Sequence, residues 1–151
     1  MMTAKRIQEL AERNAANVRR FLHDTHEGRL EVVDELVDPG IVTHGFPGDQ
    51  QPASREAYKA FFTELARTWS EMTFELHALV ADADRVAARF TVSGRHAGEF
   101  MGLPATGRRV VFQGMALYRM VGGRIAETWL HPDNASIHRQ LTARAHTGAI
   151  A

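Results

Sequence analysis

Hydrophobic residues recur at helical spacing in the first quarter of the chain and predict two helices there. One apolar stripe begins at Ile7 and continues to Leu22, so the first helix should extend to about His26 before Gly28 ends it. A second, short helix is indicated between residues 30 and 37. The chain therefore begins with an α-helical layer.

A break and a short strand should separate these helices from a third one. The Asp38-Pro39-Gly40 sequence predicts the break, residues 41–46 have the pattern of a strand, and residues 45–48 predict a turn into a polar loop. Ser54 is a suitable N-cap for the third helix. The apolar stripe of that helix is unusually aromatic, and its members are Tyr58, Phe61, Phe62, Leu65 and Trp69.

From Met72 onward the hydrophobic period changes to two, which is typical of strands with one buried face. Four strands are expected, at residues 72–80, 86–95, 107–120 and 123–131. Short turns at residues 82–84 and 121–123 join neighbouring strands into hairpins. Helices followed by hairpin-linked strands indicate an α+β fold with a largely antiparallel sheet.

The last strand ends in groups that can carry chemistry. Strict alternation would place Ile125, Glu127, Trp129 and His131 on one face of it. Pro132 should end the strand and leave Asp133 at its rim, where the carboxylate could reach into a cavity. Asp133 could equally cap the helix that follows, and Asn134 could cap it as well. The segment alone leaves both interpretations open.

Composition and charge narrow the classes of protein that need consideration. The 151 residues predict one domain, 1–151, with a core from about residue 5 to residue 141 and a frayed tail from residue 142. The 18 basic and 18 acidic residues balance, with no long run of one sign. Nucleic acid and a membrane surface are therefore not expected as partners.

Several kinds of site are not expected. The chain has no cysteine, which excludes disulfides, thiolate nucleophiles and cysteine-ligated metals. The histidine pairs lack a carboxylate that would complete a metal motif, so neither a metal nor a cofactor is predicted. Residues 102–109 have the glycine spacing of a phosphate loop but not its Lys and hydroxyl, so a hairpin loop is expected. The N-terminus lacks the apolar core of a signal peptide, which predicts a cytoplasmic protein.

The remaining polar candidates suggest a small-molecule pocket. They are His44, Arg89, Gln113, His131 and Asp133, and they accompany many aromatic residues. A hydrophobic cavity lined by a few polar groups is the common form of such a site. Each candidate also has a structural interpretation: His44 as a core or loop histidine, Arg89 as the partner of a surface acid, and Phe61 and Trp69 as core.

The chain resembles the SnoaL-like polyketide cyclase family. The resemblance extends from about Asn14 to Leu141 and is carried by the segments Val42-Thr43-His44, Val86 to Thr91, Gly94 to Arg108 and Gly123 to Trp129, followed by Asp133. It implies a nuclear transport factor 2-like cone in which a curved sheet wraps N-terminal helices around a deep pocket, usually in a homodimer.

The resemblance also implies roles for individual residues. Asp133 matches the family's catalytic acid/base, and His44 matches a residue of the pocket wall. We also expect a catalytic role for His44 or His131, either of which could stabilise the developing oxyanion; for His131 this is our own expectation from geometry. The expected substrate-binding residues are Phe21, Phe61, Trp69, Arg89, Gln113, Met115 and Trp129. The predicted reaction is a cofactor-independent intramolecular aldol closure of a hydrophobic polyketide-like substrate.

Two other functions remain open at this point. The chain could be a non-catalytic module for small-molecule binding or dimerisation, particularly if Asp133 only caps a helix. It could also be an isomerase or an epoxide hydrolase, since the same fold supports several chemistries.

Overall fold

The computed structural model describes residues 1–48 and 51–144 of the chain. Within them, the helices are α1 (Ala4–His26), α2 (Glu31–Leu36), α3 (Arg55–Thr68) and α4 (Asn134–Thr142). The strands are β1 (Val37–His44), β2 (Trp69–Ala81), β3 (Arg85–His96), β4 (Arg109–Val121) and β5 (Arg124–Pro132). The predicted order of helices and strands is confirmed.

Two predicted helix boundaries are confirmed, and one is wrong. Helix α1 ends at His26, shortly before Gly28, whose φ of 82° is one that glycine adopts without strain. The Ser54 side chain caps α3 by accepting a hydrogen bond from the Ala57 backbone N–H at 3.1 Å. Trp69, however, is the first residue of β2, because α3 ends at Thr68 and the chain continues in an extended conformation. The Trp69 side chain therefore packs on the sheet.

Strand β1 begins earlier than the sequence predicts. The segment Asp38-Pro39-Gly40, predicted to be a break, lies inside β1, where the pairing register with β5 shifts between Val37 and Val42. Because β1 is an edge strand and the register is irregular there, the missing N–H of Pro39 is tolerated. This extension adds a pairing between Val37 and Ile125 to those that Val42, Thr43 and His44 make with β5.

The five strands form one curved, open sheet in the order β1-β5-β4-β3-β2. Strand β1 runs parallel to β5, and all other neighbours are antiparallel. The helices pack against one face, here called the inner face, and most of the buried apolar residues lie between the two layers. The predicted α+β fold is confirmed.

Irregularities in β2 and in β5 reverse the alternation of side chains within these strands. In β2 the register shifts between Leu76 and Ala78, so that Leu79 is partly buried and Val80 is 72% exposed. In β5, Arg119 pairs with Glu127 and Met120 pairs with Ile125, which leaves Ala126 as an extra residue. The face assignment from strict alternation is therefore wrong for both strands, with consequences for the site.

The connection between β3 and β4 has the predicted form. Residues 97–108 connect β3 to β4 as the predicted hairpin loop, and an isolated bridge joins Phe100 to Leu103 within it. The predicted frayed tail begins at residue 142, and its residues 145–151 lie outside the described part of the chain. No helix of the described residues has the length and apolar character needed to cross a membrane.

Candidate functional site

A cavity of about 80 Å³ lies between the helices and the inner face of the sheet. Its walls are rich in aromatic residues and come from α1, α3 and α4, from the four strands β2 to β5, and from the loops after β1 and β3. The main aromatic contributors are Phe46, Phe61, Phe62, Trp69, Phe90 and Phe112. The rings meet edge to face or tilted, with centroids about 5 Å apart, as in Phe46 with Phe61 at 4.8 Å. The site is thus an apolar pocket built from the core itself.

Five polar residues also line the cavity: His26, Tyr58, Tyr118, Thr128 and Asn134. Among the described residues, no acidic side chain, lysine or arginine contributes to the lining. Burial raises the pKa of both tyrosine phenols, with a side-chain hydrogen bond from Thr128 opposing the rise for Tyr58. Both phenols are therefore protonated at neutral pH and can donate hydrogen bonds.

His26 lies at the end of α1 with its ring against the cavity. Its Nδ1 lies 2.8 Å from the Leu22 carbonyl oxygen, and its ring stacks on Phe74 with centroids 4.1 Å apart. Burial lowers the pKa of His26 from 6.5 to about 4, and the hydrogen bond to Leu22 offsets only part of that. The imidazole is therefore neutral at physiological pH.

Asn134 begins α4 and faces the cavity from its other side. Its side-chain Oδ1 is buried and has no hydrogen-bond partner among the described residues. A buried polar atom of this kind is costly unless a ligand or water pairs with it. An unpaired polar atom therefore belongs to a residue of the cavity lining, just after the end of β5.

Asp133 does not line the cavity, although its neighbours in the chain, Pro132 and Asn134, do. Its backbone N–H donates to the Gln113 carbonyl at 2.9 Å, and its Oδ1 accepts from the Ser136 N–H at 3.0 Å. Asp133 is exposed and is the N-cap of α4. The capping interpretation is thus confirmed, and the second carboxylate oxygen is not needed for it.

His44 lies on the outer face of the sheet, not on the cavity wall. Its Nε2 donates to the Glu127 carboxylate at 2.7 Å, and its ring stacks on Trp129 with centroids 5.2 Å apart. Arg119 donates to the same carboxylate at 3.0 Å. The hydrogen bond from His44, followed by that from Arg119, lowers the pKa of Glu127. The structure thus corrects the expected position of both His44 and Trp129.

Most of the other predicted site residues are also away from the cavity. Arg89, Gln113, Met115 and His131 are exposed on the outer face. Phe21 is fully buried in the core, where its ring contacts Tyr58, Phe62 and Tyr118, and it does not line the cavity. Phe61 and Trp69 do line it. Their role in substrate binding stays a prediction.

The sequence analysis missed the five polar residues of the lining. The even-numbered residues of β4, from Val110 to Met120, are all buried, and this apolar period identifies the inner face that holds Tyr118. Gln113 and Met115 are at odd-numbered positions and lie on the opposite, outer face. For Thr128 no such signal exists, because the extra residue Ala126 changes which face it occupies. Among the described residues, no group of three His, Cys, Asp or Glu side chains is placed to hold a metal.

Comparison with known proteins identifies relatives of this chain. It is 32% identical over 130 residues to an aklanonic acid methyl ester cyclase of Streptomyces sp. strain C5, with 82% of this chain and 78% of the relative covered. A second such cyclase, from Streptomyces peucetius, is 32% identical over 133 residues and covers 82% and 87% of the two chains.

Solved structures agree with this relationship. IdmH of Streptomyces antibioticus superimposes with a TM-score of 0.72 at 30% identity, covering 85% of this chain and 97% of IdmH. A SnoaL-like protein of Jannaschia sp. CCS1 has the same fold, with a TM-score of 0.78 at 20% identity and coverage of 90% and 96%. The family model described as SnoaL-like polyketide cyclase matches residues 16–141. The chain therefore belongs to the SnoaL-like polyketide cyclase family, and its cone of helices and curved sheet is the nuclear transport factor 2-like fold.

Proposed function

We propose that this protein closes a ring in a hydrophobic polyketide-like substrate by an intramolecular aldol reaction that needs no cofactor. The observation that carries the proposal is an aromatic cavity lined by Pro132 and Asn134, the two residues that flank Asp133 in the chain. The relatives named above are cyclases of aklanonic acid methyl ester. We assign Asp133 as the acid/base, in agreement with its match to the family motif.

The lining favours an esterified substrate over a free acid. No cationic side chain of the described residues lines the cavity, so a carboxylate inside it would lose its hydration without gaining a charged partner. An ester group has the same shape and carries no charge. The proposed substrate is therefore a neutral ester. The two Streptomyces cyclases are likewise named for a methyl ester.

The proposed reaction has two proton transfers at Asp133. Asp133 removes a proton from a carbon between two carbonyls, and the resulting enolate forms the new carbon–carbon bond by attacking a third carbonyl of the same molecule. The proton on Asp133 then passes to the alkoxide that this attack creates. The protonated phenols of Tyr58 and Tyr118 are suited to donate to the oxygen where negative charge develops. Folding the substrate within aromatic walls supplies much of the rate enhancement.

Substrate binding should enlarge the cavity. Its volume of about 80 Å³ is well below the roughly 300–1,000 Å³ of most small-molecule sites. Side chains of the lining, such as Phe61, which is only partly buried, must move apart to admit several fused rings. We therefore expect ligand binding to change the environment of the cavity aromatics.

The test is the Asp133→Asn variant with a β-polyketone methyl ester. Asparagine caps a helix about as well as aspartate, so the variant keeps α4 and loses only the base. We expect turnover to fall about 10²- to 10⁴-fold with unchanged thermal stability. Asp38→Asn is the matched control, because Asp38 also accepts a local backbone hydrogen bond but lies on β1 away from the cavity. Retained turnover in Asp133→Asn would refute the assignment.

A binding module without catalysis is the second candidate. The exposure of Asp133 and its use as a helix cap favour it. In that case the wild-type protein binds the methyl ester without converting it, and Asp133→Asn binds equally well. Mass spectrometry of the ester after incubation with wild-type protein separates the two candidates.

A homodimer and a cytoplasmic location are also proposed. Exposed apolar side chains on the outer face of β4, Val111 and Met115, would be covered if two sheets packed against each other. Light scattering coupled to size-exclusion chromatography tests the dimer, with Met115→Glu expected to weaken it. Cell fractionation tests the location.

A further inference from the structure

The tautomer of His26 follows from its neighbours. A carbonyl oxygen can only accept, so the contact between Nδ1 and the Leu22 oxygen at 2.8 Å requires the hydrogen to be on Nδ1. The Thr25 hydroxyl, 3.4 Å from the same nitrogen, donates to the Phe21 carbonyl at 2.7 Å and does not supply that proton. The other ring nitrogen, Nε2, therefore presents a lone pair.

The direction of this lone pair is set by the helix. Because Nδ1 bonds to the backbone of α1, Nε2 lies on the far side of the ring from that bond, in a residue that lines the cavity. Stacking on Phe74 at 4.1 Å and an edge contact with Phe62 at 5.9 Å hold the ring in this orientation. The cavity thus contains a fixed, neutral hydrogen-bond acceptor among apolar walls.

A ligand that donates a hydrogen bond fits this acceptor. A hydrocarbon or a methyl ether leaves the lone pair unpaired, and a carboxylate would place a second acceptor against it. The hydroxyl of a phenol or an enol supplies a donor on a flat ring that suits the aromatic walls. Asn134, which follows β5 and is separated from β2 by β4 and β3, provides another polar group for a different part of the same ligand.

We propose that His26 is a specificity-determining residue whose Nε2 accepts a hydrogen bond from a phenolic or enolic hydroxyl of the substrate. The inference rests on the proposed function only for the substrate class, since the hydrogen bond requires no turnover. It predicts that the cavity distinguishes a hydroxylated aromatic ligand from its O-methyl ether.

The experiment compares 2-naphthol with 2-methoxynaphthalene as probes, with binding to the full chain followed by calorimetry. The measured quantity is the Kd of the ether divided by the Kd of the phenol. In His26→Phe the aromatic ring and its stacking remain and the acceptor is lost, so this ratio should fall about three- to tenfold relative to the wild type. His26→Gln keeps an acceptor and should retain part of the preference for the phenol over the ether. It is the variant to measure if His26→Phe folds poorly.

Phe61→Leu is the matched control, because it changes the cavity wall without removing a polar group. It should shift both dissociation constants together and leave their ratio unchanged. An unchanged ratio in His26→Phe, or a wild-type protein that does not bind 2-naphthol, would overturn the proposal. Asp133→Asn should keep the wild-type ratio, so failure of the aldol mechanism and failure of the His26 assignment give different results.

Discussion

Stability at mildly acidic pH should depend on His26. Burial lowers the pKa of this imidazole from 6.5 in the unfolded chain to about 4 in the folded protein. Between these values the unfolded chain binds a proton that the folded protein does not, so acid favours unfolding. The stability that comes from keeping His26 neutral is fully present above pH 6.5 and is lost as the pH falls toward 4.

The size of the effect follows from the two pKa values. One pKa unit corresponds to about 1.4 kcal/mol, so the full loss between pH 6.5 and pH 4 is about 3 kcal/mol. Small domains have a free energy of unfolding of roughly 5–15 kcal/mol, so a loss of this size is a large fraction of the total. Replacement of His26 by Phe removes the titrating group and keeps the ring that stacks on Phe74.

Urea unfolding curves at pH 7.5, 6.0, 5.0 and 4.5 measure this contribution. The free energy of unfolding of the wild type should fall about 2 kcal/mol more than that of His26→Phe between pH 7.5 and pH 4.5. Carboxylates such as Asp82, whose pKa is lowered by backbone hydrogen bonds from Asp84 and Arg85, are present in both proteins and cancel in the comparison. A difference that does not change with pH would refute the reasoning.

Three further predictions concern stability, each measured by urea or thermal unfolding. Gly45→Ala should lower the free energy of unfolding by about 2 kcal/mol or more, because φ is 80° and the new Cβ would lie 2.1 Å from the Leu130 carbonyl oxygen. Gly28→Ala should cost clearly less, because its φ is a similar 82° but the space around it is open. Equal losses in the two variants would contradict the steric argument. Phe21→Ala should cost about 3–5 kcal/mol through lost aromatic packing, and a loss under about 1 kcal/mol would contradict its core role. Asp133→Ala should cost about 1 kcal/mol by removing the cap of α4, whereas Asp133→Asn should not.

One extra residue in β5 explains why several predicted site residues lie on the outer face of the sheet. Had β5 alternated strictly, Glu127 and Trp129 would share a face with the buried Ile125. The bulge at Ala126 instead turns them outward together with His131. On the neighbouring strand, His44 shares the outer face and its Nε2 donates a hydrogen bond to Glu127. A bulge depends on pairing with β4, which local sequence does not specify.

The sequence by itself determined the α+β class, the order of the helices and strands, the Ser54 cap and the family. These properties depend on hydrophobic period and on local motifs, which are written within a few residues of one another. Tertiary structure alone decided which side chains share the cavity, because strand register, bulges and the stacking of α1 on β2 join residues far apart in the chain. His26 illustrates this difference: the sequence marks it only as the end of a helix, whereas in the folded protein burial keeps its imidazole neutral and the hydrogen bond to Leu22 leaves Nε2 as an acceptor.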